Sequence, residues 1–299
     1  MGNIWTNVGW IDVTTYNALS ISIVSGNWTL QQQIDSWNYW GETAGATAQG
    51  VFGCSGVCTL GTNRYPPQAM TLANTPEGLA NYQSTATAPG AVGNADSWFT
   101  VTFQKPGYTP SLPYTQWTPE IRCDNDVPGH TIPGCVNDWY HPAMIYTRTG
   151  PYPQLARHIK AAQDSGLPGA YNSGEWLNRI TGPDVVRNRN RSCPTGDSPY
   201  PRPAGHSCDE YPFASTKQGA MTANPDIPPR DLRRTFDWCQ MPIIVPTDRT
   251  GPTGYSICMI DENQNSNGGT ALDRFYIENR VLAEIVDVRP GDKFDVWIQ

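Results

Sequence analysis

Cys208-Asp209-Glu210-Tyr211-Pro212-Phe213-Ala214-Ser215-Thr216 sets two adjacent carboxylates just ahead of a proline. If this stretch is a strand, successive side chains leave on opposite faces. Asp209 and Glu210 then cannot flank one sugar bond as paired glycosidase carboxylates do. One is free to face a bound phosphate while the other packs or orients a neighbour. Further on, Asn265-Ser266-Asn267-Gly268-Gly269 reads as an amide-bearing helix start. Taken alone, Asn265 is equally an Asn turn or a helix cap.

Working outward, the cysteines on either side of the acidic pair belong to a set of eight at positions 54, 58, 123, 135, 193, 208, 239 and 258. Short paired spacings with histidines at fixed offsets, as zinc requires, are absent. An even count in a chain rich in Gly (28) and Pro (27) and with only 16% charged residues points to disulfides. Pairing of neighbours, Cys54–Cys58, Cys123–Cys135, Cys193–Cys208 and Cys239–Cys258, is the expectation. Each bridge is worth about 2–4 kcal/mol, and the middle two are expected to brace the acidic segment.

No apolar run approaches the roughly 20 residues that span a bilayer. Met1-Gly2-Asn3-Ile4-Trp5-Thr6 lacks the basic end and apolar run of a signal peptide but fits a loose myristoylation pattern. Disulfides are at odds with that cytosolic modification, so a mature, secreted, extracellular chain is expected. Asn27-Trp28-Thr29 and Asn190-Arg191-Ser192 are glycosylation sequons, meaningful in a eukaryotic host. The net charge of −7 excludes a surface coated in cations for tight nucleic-acid binding. It leaves room for one local basic groove.

Residues 1–105 hold six of the eleven tryptophans. Leu19, Ile21 and Ile23 alternate with serines, and Phe99, Val101 and Phe103 with threonines, which predicts strands with one buried face. The expected module is a β-sandwich or small barrel. Its exposed aromatics with Asn and Gln suit a glycan or cell-surface ligand; buried, they are simply a core. Prolines mark 106–118 as a linker, and 119–299 as a second domain.

In that domain Pro153–Gln163 reads as a helix with Leu155, Ile159 and Ala162 on one face. His158 lies on the apolar side, either a hydrogen-bonded core histidine or a catalytic one. Thr270–Arg280 reads as another helix, and Val281–Ile298 as a closing strand pair turning at Pro290-Gly291-Asp292. Arg187, Arg189 and Arg191 alternate, so a strand presents all three on one face. Exposed, they serve solubility; beside a phosphate they grip a DNA backbone.

The nine-residue string around Asp209 resembles the signature of the NucA/NucB family of extracellular deoxyribonucleases. Further landmarks follow in family order: Arg122-Cys123-Asp124, Gly134-Cys135-Val136, Ala156-Arg157-His158-Ile159, Asn190-Arg191-Ser192-Cys193-Pro194, Lys217-Gln218-Gly219-Ala220, Asn265 to Gly269, and Gly291-Asp292-Lys293-Phe294. The resemblance covers roughly 120–299. It implies a disulfide-braced, ββα-metal-like nuclease domain that cuts DNA without sequence preference; with the β-sandwich-like module read from the strand alternation ahead of it, the expected fold class is α+β.

In such a site a hairpin supplies the acid or base and the following helix a metal ligand. The resemblance casts Asp209 as general base, Glu210 as its competitor, and Asn265 as ligand to Mg²⁺ or Mn²⁺, hard ions that prefer oxygen. Asp273, about 80° further round the same helix, and Glu278 are expected behind it. One departure stands out: some members carry Asp-Arg before the acidic pair, where this chain has Ser207-Cys208. Two other classes stay open, a glycan- or surface-binding protein with an inactive nuclease-like domain, and a secreted antibacterial nuclease toxin.

Overall fold

The computed structural model describes residues 7–195, 200–228, 231–242 and 244–299. The Met1–Thr6 pattern lies outside the described residues. The chain divides into two compact units, Met1–Tyr140 and His141–Gln299.

The first unit contains β1 (Gly9–Ser22), β2 (Ser25–Gly41), β3 (Thr47–Gly56), β4 (Cys58–Arg64), β5 (Gln68–Ala69), β6 (Glu77–Ser84), β7 (Val92–Gln104), β8 (Tyr114–Trp117), β9 (Ile121–Asp124) and β10 (Gly134–Asn137). They form a four-stranded sheet, β1-β2-β6-β4, and a six-stranded sheet, β10-β9-β7-β3-β5 with β8 on β7. Trp28, Leu30, Ile34 and Tyr82 from one sheet and Phe52, Phe99, Val101 and Ile121 from the other share a single core. Trp28 Nε1 donates to Ser97 Oγ across it at 2.8 Å. This is a sandwich, built by the period-two alternation of its strands.

The sequence places a linker at 106–118 and the start of the second domain at 119. In the structure β8 pairs with β7 over Tyr114–Trp117, and β9 and β10 extend the same sheet. The division falls after Tyr140, because the strands beyond the prolines complete the first unit's sheet. Cys123–Cys135 therefore staples β9 to β10 in the sandwich core and takes no part in bracing the acidic segment.

The second unit contains β11 (Ala143–Tyr146), α1 (Pro153–Asp164), β12 (Leu177–Asn178), α2 (Pro183–Ser192), β13 (His206–Tyr211), β14 (Arg233–Arg234), β15 (Tyr255–Asp261), α3 (Glu262–Glu278) and β16 (Lys293–Ile298). Two three-stranded sheets, β11-β16-β12 and β13-β15-β14, join α1 and α3 around one core that includes Leu155, Ile159, Ile260, Leu272, Phe275 and Phe294. A smaller cluster, with Leu232, Tyr255, Ile257 and Met259, covers the other face of the β13–β15 pair. The antiparallel β13–β15 pair followed at once by α3 is the ββα arrangement. Among the described residues no helix is long and apolar enough to cross a membrane.

Three local expectations change. Residues 187–191 lie in α2, a helix rather than a strand: Pro183 occupies its first turn with Asp184, and Arg189 and Arg191 its last, charges matched to the helix dipole. The helix at 270–280 begins earlier, at Glu262, because Asp261 caps it by accepting from Gln264 N at 3.0 Å. Val281–Ile298 is not a strand pair. Only β16 is extended, and it pairs parallel with β11 and antiparallel with β12. The segment before it is held by the Arg179 backbone instead, through Glu284 N to Arg179 O and Arg179 N to Asp292 O.

Candidate active site

β13 is an edge strand, paired on one side by β15 and with no strand on the other among the described residues. Asp209 is opposite Cys258, on the face covered by α1 and α3, and Glu210 is opposite Ile257, on the other face. In a central strand these two carboxyls point apart. At a free edge both reach the same hollow, a groove of about 830 Å³ walled by α2, β13 and α3, and Asp209, Glu210, Arg189, Asn265 and Asp273 all line it.

Asp209 is held from behind. His158 on α1 is fully buried, with Nδ1 2.5 Å from Asp209 Oδ2 and Nε2 2.9 Å from Ser256 Oγ. The imidazole thus links β15 to the carboxylate and fixes its orientation. It reaches the groove only through Asp209, so its geometry is that of a buried, hydrogen-bonded core histidine and not of a group that touches substrate.

Glu210 has the opposite environment. Burial is the main cause that pushes its carboxyl up to about 8, and the Asp209 charge adds to it; Arg189 and a hydrogen bond from the Ala214 backbone pull the other way. Adjacent carboxyls are thereby set apart, one pinned by an imidazole and one inclined to hold its proton near neutral pH.

Asn265 stands in the first turns of α3. Its Nδ2 donates to Ser207 Oγ at 2.9 Å and to Cys208 O at 3.0 Å. With both donors spent on β13, the carbonyl Oδ1 is left without a hydrogen-bond donor among the described residues. Ser207 and Cys208 each have a task here: one orients the amide and the other is bridged to Cys193 at the end of α2. Gly268 lets α3 settle on α1, since a Cβ there meets Leu155 Cδ2 at 2.2 Å. Gly269 faces open groove.

The arginines separate. Arg189 lines the groove; Arg187 pairs with Asp184 on the exposed side of α2; Arg191 donates to Ile227 O and meets Met221 Sδ at 3.0 Å. A helix turns 100° per residue, so the three do not share a face. Glu278 does not line the groove, whereas Asp273 does.

Two groove residues carry no sequence signal that singles them out. Glu262 reads as an ordinary first-turn acid, and Arg202 as one of several prolines' neighbours; both line the groove. Asn188, fully buried behind the groove wall, also carries no such signal. It donates to Ala214 O and Thr216 O and accepts from the backbone of Met221 and Thr222, fastening the loop after β13 to α2.

The second bridge at this site is Cys239–Cys258, which anchors β15 behind Asp209. All eight cysteines pair with their neighbours in the sequence, and none is free.

This arrangement of an acidic edge strand, a flanking helix and a groove-lining arginine coincides with the comparison to known families. Residues 182–233 match the family model of deoxyribonuclease NucA/NucB. The NucA/NucB match takes in α2, β13 and the loop to β14, hence Arg189, Asp209 and Glu210; His158, Asn265 and Asp273 fall outside it. It supports a deoxyribonuclease in the second unit and leaves the sandwich unassigned. No curated protein and no solved structure matches the chain.

Among the described residues no three His, Cys, Asp or Glu side chains gather closely enough to cage a metal ion. The groove offers oxygen alone: a free amide carbonyl at Asn265 and carboxylates at Asp209, Glu262 and Asp273. That donor set fits a hard ion that keeps several waters, as Mg²⁺ does, and not zinc.

Proposed function

We propose that the second unit is a divalent-metal-dependent endonuclease that hydrolyses DNA phosphodiesters with little sequence preference, outside the cell. The observation that carries this reading is the edge strand that turns Asp209 and Glu210 into one groove opposite the free carbonyl of Asn265. Asp209, oriented by His158, is the general base. It takes the proton of a water whose oxygen attacks phosphorus. As the bond from phosphorus to the leaving oxygen breaks, the Glu210 carboxyl gives its proton to that oxygen. A positioned base is worth about 10²–10⁴-fold in rate.

Asn265 Oδ1, with Asp273 and Glu262 on the same helix acting through water, would hold the ion. When bound, a Mg²⁺ or Mn²⁺ ion supplies Lewis-acid charge at the phosphoryl oxygen. Arg189 and Arg202, both lining the groove, face the incoming phosphates. No helix enters a groove of the duplex to read bases in this scheme, which leaves backbone contacts and no sequence preference. Four disulfides suit an oxidising compartment.

The test is incubation of the oxidised protein with supercoiled plasmid and Mg²⁺ or Mn²⁺, with and without EDTA. Chelator-sensitive nicking is expected, reduced by about 10²-fold or more in Asp209→Asn. The proposal is falsified if the plasmid stays intact with every metal, or if Asp209→Asn cuts at the rate of the parent.

A further inference from the structure

β2 is much longer than the sheet it belongs to. Residues Asn27–Gln33 pair with β6, but the strand runs on to Gly41 with only β1 beside it. Its even positions from Trp28 to Ser36 are buried in the sandwich core. The odd positions up to Asp35, the even positions beyond the register shift at Trp37, and the β1 residues opposite both form the outer face.

That face carries aromatic rings with no core to fill. Trp10 stands opposite Trp40, and Trp37 is the extra residue where the register shifts between Asp12 and Val13. Tyr16 follows, opposite Gln33. These four rings are 40%, 56%, 60% and 57% exposed. Between them lie amides, with Asn38 bonded to Asp12 on the same face at 3.3 Å. Solvent-exposed rings in a row along one strand pair are costly unless something covers them.

Further along, the face deepens into a hollow of about 490 Å³ whose outward-facing lining includes Ser20, Asn27, Thr29, Asn81 and Gln83, with no charged side chain on its wall. β1, β2 and β6 contain no Lys or Arg, while Asp12, Asp35 and Glu77 lie on them. A polyanion, whether nucleic acid or anionic lipid, is repelled by such a face.

We propose that the outer face of β1, β2 and β6 binds an uncharged polysaccharide chain. The C–H faces of its sugar rings stack on Trp10, Trp37, Trp40 and Tyr16, and its hydroxyls bond to the amides and hydroxyls of the hollow. Such rings offer large contact area with a polar handle, and neutral amides both donate and accept, as a sugar hydroxyl does. At about 3.3 Å per residue β2 is long enough to track an extended chain rather than one sugar. This site lies wholly in the first unit and does not depend on the nuclease reading.

The full-length protein is to be made in a host that does not glycosylate, because the Asn27 sequon lies on this face. It is then sedimented with three insoluble uncharged polymers: β-1,4-linked glucose, β-1,4-linked N-acetylglucosamine, and cross-linked α-linked glucose. Anionic phospholipid vesicles serve as a fourth arm. Retention by at least one polymer is expected. The Trp37→Ala, Trp40→Ala double variant should bind it tenfold or more weakly and Gln83→Ala severalfold more weakly. Trp139→Ala, exposed elsewhere on the unit, should bind as the parent does, with unchanged circular dichroism in all three. Absence of retention on every polymer, equal retention of the double variant, or preferential capture by the anionic vesicles overturns the proposal.

Discussion

Replacing Glu210 by Gln should make the protein more stable above pH 7 while lowering its rate of DNA cleavage. In the folded chain the carboxyl titrates near 8, against 4.5 for the ordinary group, chiefly because of burial and then the neighbouring Asp209 charge. Between those two values the folded state keeps a proton that the unfolded chain releases. Stability therefore falls as pH rises from about 4.5 to about 8 and is level beyond it. Taken whole, the displacement corresponds to about 5 kcal/mol at pH 8 and above, an upper bound because water enters the groove. If roughly 2 kcal/mol of this survives solvent screening, the melting temperature of a unit of this size changes by about 4–8 °C.

Gln keeps an oxygen for the Ala214 backbone but carries no charge. In thermal scans with EDTA from pH 4.5 to 9, the variant should match the parent at the acid end. It should melt several degrees higher above pH 8, with the crossover inside that window. Cleavage at neutral pH should fall at least tenfold, since the proton for the leaving oxygen is gone. Two melting curves that stay parallel across the whole pH range would refute the reasoning, because they place Glu210 in water and not in a charge-hostile groove.

Three other substitutions follow from the same geometry. Arg189→Ala should weaken DNA binding and flatten its salt dependence by about one counterion, whereas Arg191→Ala should leave the slope unchanged and lower stability, as fluorescence titration at several salt concentrations and thermal melting will show. His158→Ala leaves Asp209 without its buried partner, costing about 3–5 kcal/mol; His158→Gln, which can still donate to the carboxylate, should recover part of the lost kcat in steady-state assays. Asn265→Ala should raise the Mg²⁺ concentration needed for half-maximal cleavage by about tenfold or more, read from metal titrations, with kcat at saturating metal affected less.

What the sequence discloses and what it hides follow one physical rule. Segments whose periodic face is buried are visible in it: Leu155, Ile159 and Ala162 mark α1, and Phe99 and Val101 mark β7, because burial writes the period into the residue types. Segments that face the groove or solvent lose that signal. α2 is amphipathic only through Asn188 and Ser192, both polar, so its alternating arginines mimic a strand. The first turns of α3 are Asn, Gln, Ser and Gly for the same reason, so the sequence marks the helix only from Thr270, beside its first buried leucine, Leu272. The extent of the sandwich was hidden differently. Prolines announce a break after Lys105, yet β8, β9 and β10 return to the sheet, and pairing at that range leaves no local mark.

The acidic pair shows why a dipeptide that looks unpromising on a strand can still make one site. Alternation sends Asp209 and Glu210 to opposite faces, and in the interior of a sheet that separation is final. β13 has a free edge, and a helix flanks each face: α3 brings Asn265 to the side of Asp209, and α2 brings Arg189 to the side of Glu210. The strand thus divides its two carboxyls between unlike surroundings while leaving both in reach of one ligand. An imidazole orients Asp209, and burial beside a like charge holds the proton on Glu210. One oriented carboxylate and one carboxyl inclined to keep its proton are what base and acid in the proposed displacement require. A pair set side by side on one face would instead share a proton. In the proposed hydrolysis this division lets the base and the acid approach from different sides of the strand.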